Sequence, residues 1–253
     1  MKLYQIFGNE TAFHKYGGVD KTLFGIECEI ESFRDLSADV GQFFKVIDDG
    51  SLRNEGKEFV SVPMFSKDIM TAFKKLHDNY RTHHWPKFSE RTSIHVHVNC
   101  HTMEDTEVLQ AILLYALYEE MFFRMCDPGR RNNIHCVALT ETFLPAHYNS
   151  DLKFLYSKWH KYTALNIKPL STYGTIEFRH MHGHEDTLLL SEWLTIIDRL
   201  MQLAKTSPLS PATLTKPNVL QWGKELFADT RLDGTDILPI IKNSLLDVKL
   251  GMI

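Results

Sequence analysis

Three short stretches of this 253-residue chain alternate chemistry-bearing and apolar side chains. Glu27, Glu29 and Glu31 alternate with Ile26, Cys28 and Ile30; His95, His97 and Asn99 with Ile94, Val96 and Val98; Glu177 and Arg179 with Ile176 and Phe178. Successive side chains of a strand point to opposite faces, so each stretch specifies a strand with one packed face and one chemical face. Three such strands in one sheet would present four carboxylates, two imidazoles and a guanidinium on one surface.

The glutamates constrain the reading most. Side chains two apart on a strand lie about 6.5–7 Å from each other, and like charges on a partly buried face raise one another's pKa and destabilise the fold. A divalent cation removes that conflict. Carboxylate oxygens with one or two imidazole nitrogens suit Mg²⁺ or Mn²⁺, with water and substrate phosphate completing the shell. A planar guanidinium clamps phosphate or carboxylate in bidentate fashion, so the set points to metal-assisted phosphoryl chemistry. The competing explanation is a solvated polar face on each strand, and the coincidence of three strands weighs against it.

Composition limits the alternatives. With 43% hydrophobic and 11% aromatic residues the chain has ample material for a core, which argues against disorder. A formal charge of −4 with no long basic block argues against a dedicated duplex-nucleic-acid binder. Met1–Thr22 lacks the pattern of a signal peptide, and no apolar stretch is long enough to span a membrane, so a cytoplasmic protein is expected. Cys28, Cys100, Cys126 and Cys136 form no CxxC pair and read as reduced thiols.

Strands are expected at Leu23–Glu31, Phe43–Ile47, Lys57–Val62, Ser93–Asn99 and Thr175–Met181, with an extended segment at Tyr162–Ile167 and a tight turn at Asp48–Ser51. Helical spacing marks Ser66–Thr82 with Ser66 as N-cap, Glu104–Cys126, Ser150–His160 and Asp186–Lys205. Breakers make Asp127–Asn133 a loop carrying Arg130 and Arg131, and two short helices are expected after Lys216. Strands and helices do not alternate regularly. The fold class is therefore α+β, a mainly antiparallel sheet with helices on one side, in a single catalytic domain with its core at about 23–206 and a helical extension over 207–253.

Five motifs then occur in order: Gly25-Ile26-Glu27-Cys28-Glu29; Asp49-Gly50-Ser51-Leu52 with Glu58-Phe59-Val60-Ser61; His95-Val96-His97-Val98; Ala164-Leu165-Asn166; and Gly174-Thr175-Ile176-Glu177-Phe178-Arg179-His180. Across about Leu23 to Gly183 this order resembles the amidoligases, ATP-dependent carboxylate–amine ligases related to glutamine synthetase and glutamate–cysteine ligase. The resemblance implies a glutamine synthetase-like catalytic fold, a curved antiparallel sheet with helices on its convex side, whose concave face holds ATP and two or more Mg²⁺ or Mn²⁺ ions. It implies metal ligation by Glu27, Glu29, Glu58 and Glu177, a metal or nucleotide contact at His95, approach of the acyl substrate to His97, and contact of Arg179 with the transferred phosphate. Arg130 or Arg131 is the expected second phosphate contact, while Asp49 and Ser51 carry no assigned role. Glu58 shares its strand face with Val60 and Val62, which sits awkwardly with ligation.

The implied reaction forms an amide or isopeptide bond through an acyl phosphate, with carboxylate-bearing and amine-bearing partners of unspecified size. The proton acceptor is open among His97, His180, His182 and Glu31. His180, His182 and His184 form a second alternating run, which would suit a metal-dependent hydrolase without ATP; a binding relative that has lost the chemistry is the third reading.

Overall fold

The computed structural model describes residues 1–8, 10 and 22–253. The reading of Met1–Thr22 falls largely outside them. The elements in order are α1 (Leu3–Phe7), β1 (Phe24–Ile30), β2 (Phe33–Leu36), β3 (Phe44–Asp48), β4 (Lys57–Ser61), α2 (Ser66–Asn79), β5 (Tyr80–Thr82), β6 (Ser93–Asn99) and α3 (Asp105–Arg124). Then follow α4 (Leu152–Lys158), β7 (Leu165–Asn166), α5 (Leu170–Tyr173), β8 (Thr175–His182), α6 (Thr187–Thr206), α7 (Lys216–Phe227), α8 (Ile237–Ile240) and α9 (Lys242–Gly251).

Six strands form an antiparallel sheet in the order β3-β4-β1-β6-β8-β7, and β2 pairs with β5 separately. The three alternating stretches are therefore neighbours, with β6 between β1 and β8. The apolar half of their alternation is buried: Ile26, Cys28 and Ile30 with Ile94, Val96, Val98, Ile176 and Phe178. This face packs on α3 and α6, where the Phe122 ring stacks on Phe178 with centroids 5.7 Å apart and meets Trp193 at 5.4 Å. Removing that much apolar surface from water is what holds sheet and helices together.

Helix α3 begins with a reciprocal cap between Glu104 and Glu107, the Glu107 carboxylate accepting from the Glu104 backbone N–H at 2.8 Å. It is buried on more than one face: the sheet lies on one side and the C-terminal helices on another, with the Tyr118 hydroxyl donating to the Val219 carbonyl at 2.5 Å. No helix among the described residues is long and apolar enough to cross a membrane.

Several boundaries differ from expectation. The helix begun at Ser66 stops at Asn79, because Tyr80–Thr82 pairs with β2, a strand the sequence pattern did not reveal. Phe65, not Ser66, occupies its N-cap position and gives no side-chain cap. The Asp127–Asn133 loop contains a 3₁₀ turn at Pro128–Asn132, opened by Asp127 accepting from the Gly129 N–H at 2.8 Å, and three helices follow Lys216 instead of two.

Candidate active site

Pairing in the sheet sets Glu29 opposite Glu58, Glu27 opposite His95, and His97 opposite Glu177. Three groups of ligand atoms result, each with its members within 4.8 Å of one another: Glu27, Glu58 and His95; Glu27, His97 and Glu177; and Glu29, Asp49 and Glu58. Glu27 and Glu58 belong to two groups each, so the three form one continuous row. Within it His95 Nδ1 lies 3.1 Å from Glu27 Oε2 and 3.4 Å from Glu177 Oε1, and His97 Nε2 lies 3.3 Å from Glu27 Oε1.

The awkward face of β4 is explained by its register. Phe59 is the residue that points into the core, opposite Cys28, while Val60 lies opposite Glu27. The valine face is thus the cleft face, and Glu58 shares it with the acids. Asp49, given no role from sequence, comes to Glu29 and Glu58 through the turn after β3.

Further side chains fix the ligands. Ser93 Oγ donates to Glu29 Oε2 at 2.6 Å and lies 2.8 Å from His95 Nε2. Asn166 Nδ2 donates to Glu177 Oε2 at 2.6 Å, and Thr175 Oγ1 lies 3.0 Å from His97 Nδ1. Ser93 and Thr175 each sit two residues from a ligand on the same strand, a spacing that signals a shared face; Asn166 is brought in by pairing of β7 with β8. Arg179 joins the row, ion-paired with Glu177 and donating from Nε to the His135 carbonyl at 3.3 Å.

Other expected residues lie elsewhere. Arg130 reaches the cleft wall, but its guanidinium donates to the carbonyls of His180 and Arg179, at 2.8 and 2.6 Å. Arg131 is turned to Glu120 and Glu141 and lies over the Phe123 ring, so of the two adjacent arginines it is Arg130 that lines the cleft. Glu31 is buried and accepts from the Arg53 N–H at 2.9 Å, anchoring the turn before β4. The histidine run does not converge: His180 is in the core, His182 borders the cleft, and the three form none of the candidate ligand groups found among the described residues.

Electrostatics follow from crowding. Burial pushes the Glu27 carboxyl up, but His95 and His97 outweigh it and hold the group well below the usual carboxylate range. At Glu58 burial, followed by the charge of Glu27, outweighs the opposing effect of His95 and pushes the carboxyl up to about 7. Burial lowers the His97 imidazole, yet the neighbouring Glu27 carboxylate prevails and the net displacement is upward.

The row separates two cavities. One, of about 1070 Å³, carries Arg91, Arg130, Lys161 and Arg179 together with Glu29 and Asp49. The other, of about 430 Å³, is lined by Phe24, Val60, Pro63 and Tyr173 and meets the row at Glu27 and His97. The residues fit a hard divalent cation: oxygen donors predominate, their charges crowd without cations enough to balance them, and buried His97 Nε2 faces Glu27 without a hydrogen bond.

Fold and site thus define a carboxylate- and imidazole-rich cluster on an antiparallel sheet, flanked by two cavities. The family model described as "Putative amidoligase enzyme" matches residues 19–200, and the chain belongs to this amidoligase family. The match runs past Gly183 into α6, further than the motifs alone extend. A comparison with curated proteins found no match.

Proposed function

We propose that the protein is an ATP-dependent carboxylate–amine ligase acting through an acyl phosphate. The observation that carries the reading is the unbroken row of ligand groups between a cavity bearing four cationic side chains and a largely apolar one, in a chain of the amidoligase family. The proposal includes a curved, glutamine synthetase-like arrangement of the sheet, cytoplasmic location, and the whole chain acting as one catalytic domain.

Glu27, Glu29, Glu58, His95 and Glu177, joined by Asp49, would hold Mg²⁺ or Mn²⁺. When bound, such ions neutralise phosphate charge and orient the transferred group. The cationic cavity binds the nucleotide, and Arg179 stabilises the γ-phosphoryl group as a substrate carboxylate oxygen bonds to phosphorus and the bond to ADP breaks. The amine nitrogen then bonds to the acyl carbon as inorganic phosphate leaves, and the amine gives up a proton. His97, at the boundary of the second cavity, meets the acyl group there. Asn166 and Ser93 hold Glu177 and Glu29 in place, so the row keeps its geometry through the cycle.

Calorimetric titration with a non-hydrolysable ATP analogue, with and without Mg²⁺, tests the reading. Binding that requires the metal and disappears in Glu177→Gln is expected, and then justifies screening amines and carboxylates for coupled phosphate release. An absence of binding with either Mg²⁺ or Mn²⁺ overturns it.

A further inference from the structure

Strand β8 contains a register shift. Phe178 pairs with Val96 and Met181 with Ile94, so two residues, Arg179 and His180, stand opposite His95 alone. Such a bulge changes the phase of a strand. Before it Ile176 and Phe178 point into the core while Glu177 and Arg179 face the cleft; after it Met181 is in the core and His182 borders the cleft. His180 is the extra inward residue, fully buried.

An imidazole in that position needs a reason, and α3 supplies one. Its Nε2 lies 2.7 Å from the Tyr115 hydroxyl, which itself donates to Glu119 Oε1 at 2.8 Å. The hydroxyl proton is committed to Glu119, so the imidazole donates to the hydroxyl. Glu119 also accepts from the Leu139 N–H at 2.6 Å and from the N–H and hydroxyl of Thr140, each at 3.3 Å. From the other side Arg130 clamps the carbonyls of His180 and Arg179. His180 Nδ1 has no hydrogen-bond partner among the described residues, so the Tyr115 hydroxyl is what anchors this buried imidazole, and a register that broke the contact would leave the whole ring unpaired in the core.

We propose that Glu119, Tyr115 and His180, with Arg130, are positioning residues that lock the β8 bulge from the core side and thereby aim Arg179 and Glu177 into the cleft. The inference rests on the reading of Arg179 as a phosphate contact. Strand register is otherwise set by apolar patterning, and a slip of one residue would exchange the cleft and core faces of β8. Ile176 and Phe178 fix the phase of β8 before the bulge, whereas after it the apolar core contact is Met181, which tolerates irregular packing.

A double-mutant cycle separates positioning from bulk stability. Tyr115→Phe removes one hydroxyl and keeps the ring against Phe122 and Phe178. The measured quantity is affinity for the ATP analogue in the presence of Mn²⁺. Tyr115→Phe is expected to weaken binding about tenfold, the effect of leaving a buried donor unpaired and the bulge loosened, whereas in an Arg179→Ala background the same change has less than about a twofold effect. An undiminished effect in that background, or affinity within about twofold of the parent in the single variant, overturns the proposal. If Tyr115→Phe fails to fold, Tyr115→Phe/His180→Leu leaves no unpaired donor at the pair and enters the same cycle. Should the parent chain bind no nucleotide, the ligase reading fails and the crystal structure of Tyr115→Phe decides the present point. Displacement of the Arg179 side chain by about 1 Å or more supports it, and an unchanged bulge overturns it.

Discussion

Replacing Glu119 by Gln should change how stability depends on pH. The side chain is fully buried within α3 and accepts hydrogen bonds from Tyr115 and Leu139. Burial is the dominant influence and outweighs those bonds, so the carboxyl is pushed up from its ordinary 4.5 to about 7. The folded state therefore holds this proton more tightly than the unfolded chain does. Its stabilising contribution is complete below pH 4.5, declines as pH rises, and is lost once pH passes 7. The displacement corresponds to about 3 kcal/mol in all, of which about 2 kcal/mol lies between pH 5.5 and pH 8. Glutamine is neutral throughout and keeps an acceptor for Tyr115. The stability of Glu119→Gln relative to the parent should therefore rise by about 2 kcal/mol between those two pH values, measured from urea unfolding midpoints with unchanged slopes. His77 and His184, whose imidazoles burial lowers to about 4 and about 3, are present in both proteins and cancel. A relative stability that is the same at both pH values, within about 0.5 kcal/mol, refutes the electrostatic account of this residue.

Glu177→Gln should abolish metal-dependent nucleotide binding and change stability by less than about 1 kcal/mol, since loss of one charge also relieves repulsion from Glu27; thermal unfolding together with calorimetry checks both. Mg²⁺ or Mn²⁺ at a hundredfold excess over its dissociation constant should stabilise the fold by about 2.7 kcal/mol, reversed by a chelator, in a thermal-shift titration. Gly183→Ala should cost about 1–3 kcal/mol, because the new Cβ would overlap the Thr92 hydroxyl and stand 2.7 Å from Thr92 Cβ and 2.9 Å from Phe88 Cδ1; denaturant unfolding measures it. Arg131→Ala should cost about 1 kcal/mol at most and leave nucleotide affinity unchanged, since its partners are Glu120 and Glu141.

The site's strands were legible because a period of two is a local signal: the Ser93–Asn99 strand lies where its alternation placed it, and burial of Ile26, Cys28, Val96, Val98 and Phe178 follows the same count. Legibility ended where the structure depends on partners distant in sequence. Strand β2 has too few residues to show alternation and exists because β5 pairs with it. Asp49 reaches Glu29 and Glu58 through the path of a turn, and Asn166 reaches Glu177 through an edge-strand pairing. The evenly spaced His180, His182 and His184 suggested one uninterrupted face, and the bulge at Arg179–His180 separates them.

Glu119 is instructive, since a glutamate among Tyr115, Ala116, Leu117, Tyr118, Met121 and Phe122 breaks the apolar character of α3 openly. Read alone, it is a surface residue of an amphipathic helix. Because the C-terminal helices also pack on α3, the helix has little solvent face to offer, and an acid at that position must find its partners inside. It finds them in Tyr115 and the backbone of Leu139 and Thr140, and Tyr115 carries the connection to His180. The acids on the cleft face repel one another in the absence of a cation and would favour any rearrangement that separates them. Hydrogen bonds from Ser93 and Asn166 restrain them from within the cleft face, and the buried network restrains β8 from behind. Crowded charge is compatible with a fixed geometry here because the strands that carry it are held from both faces.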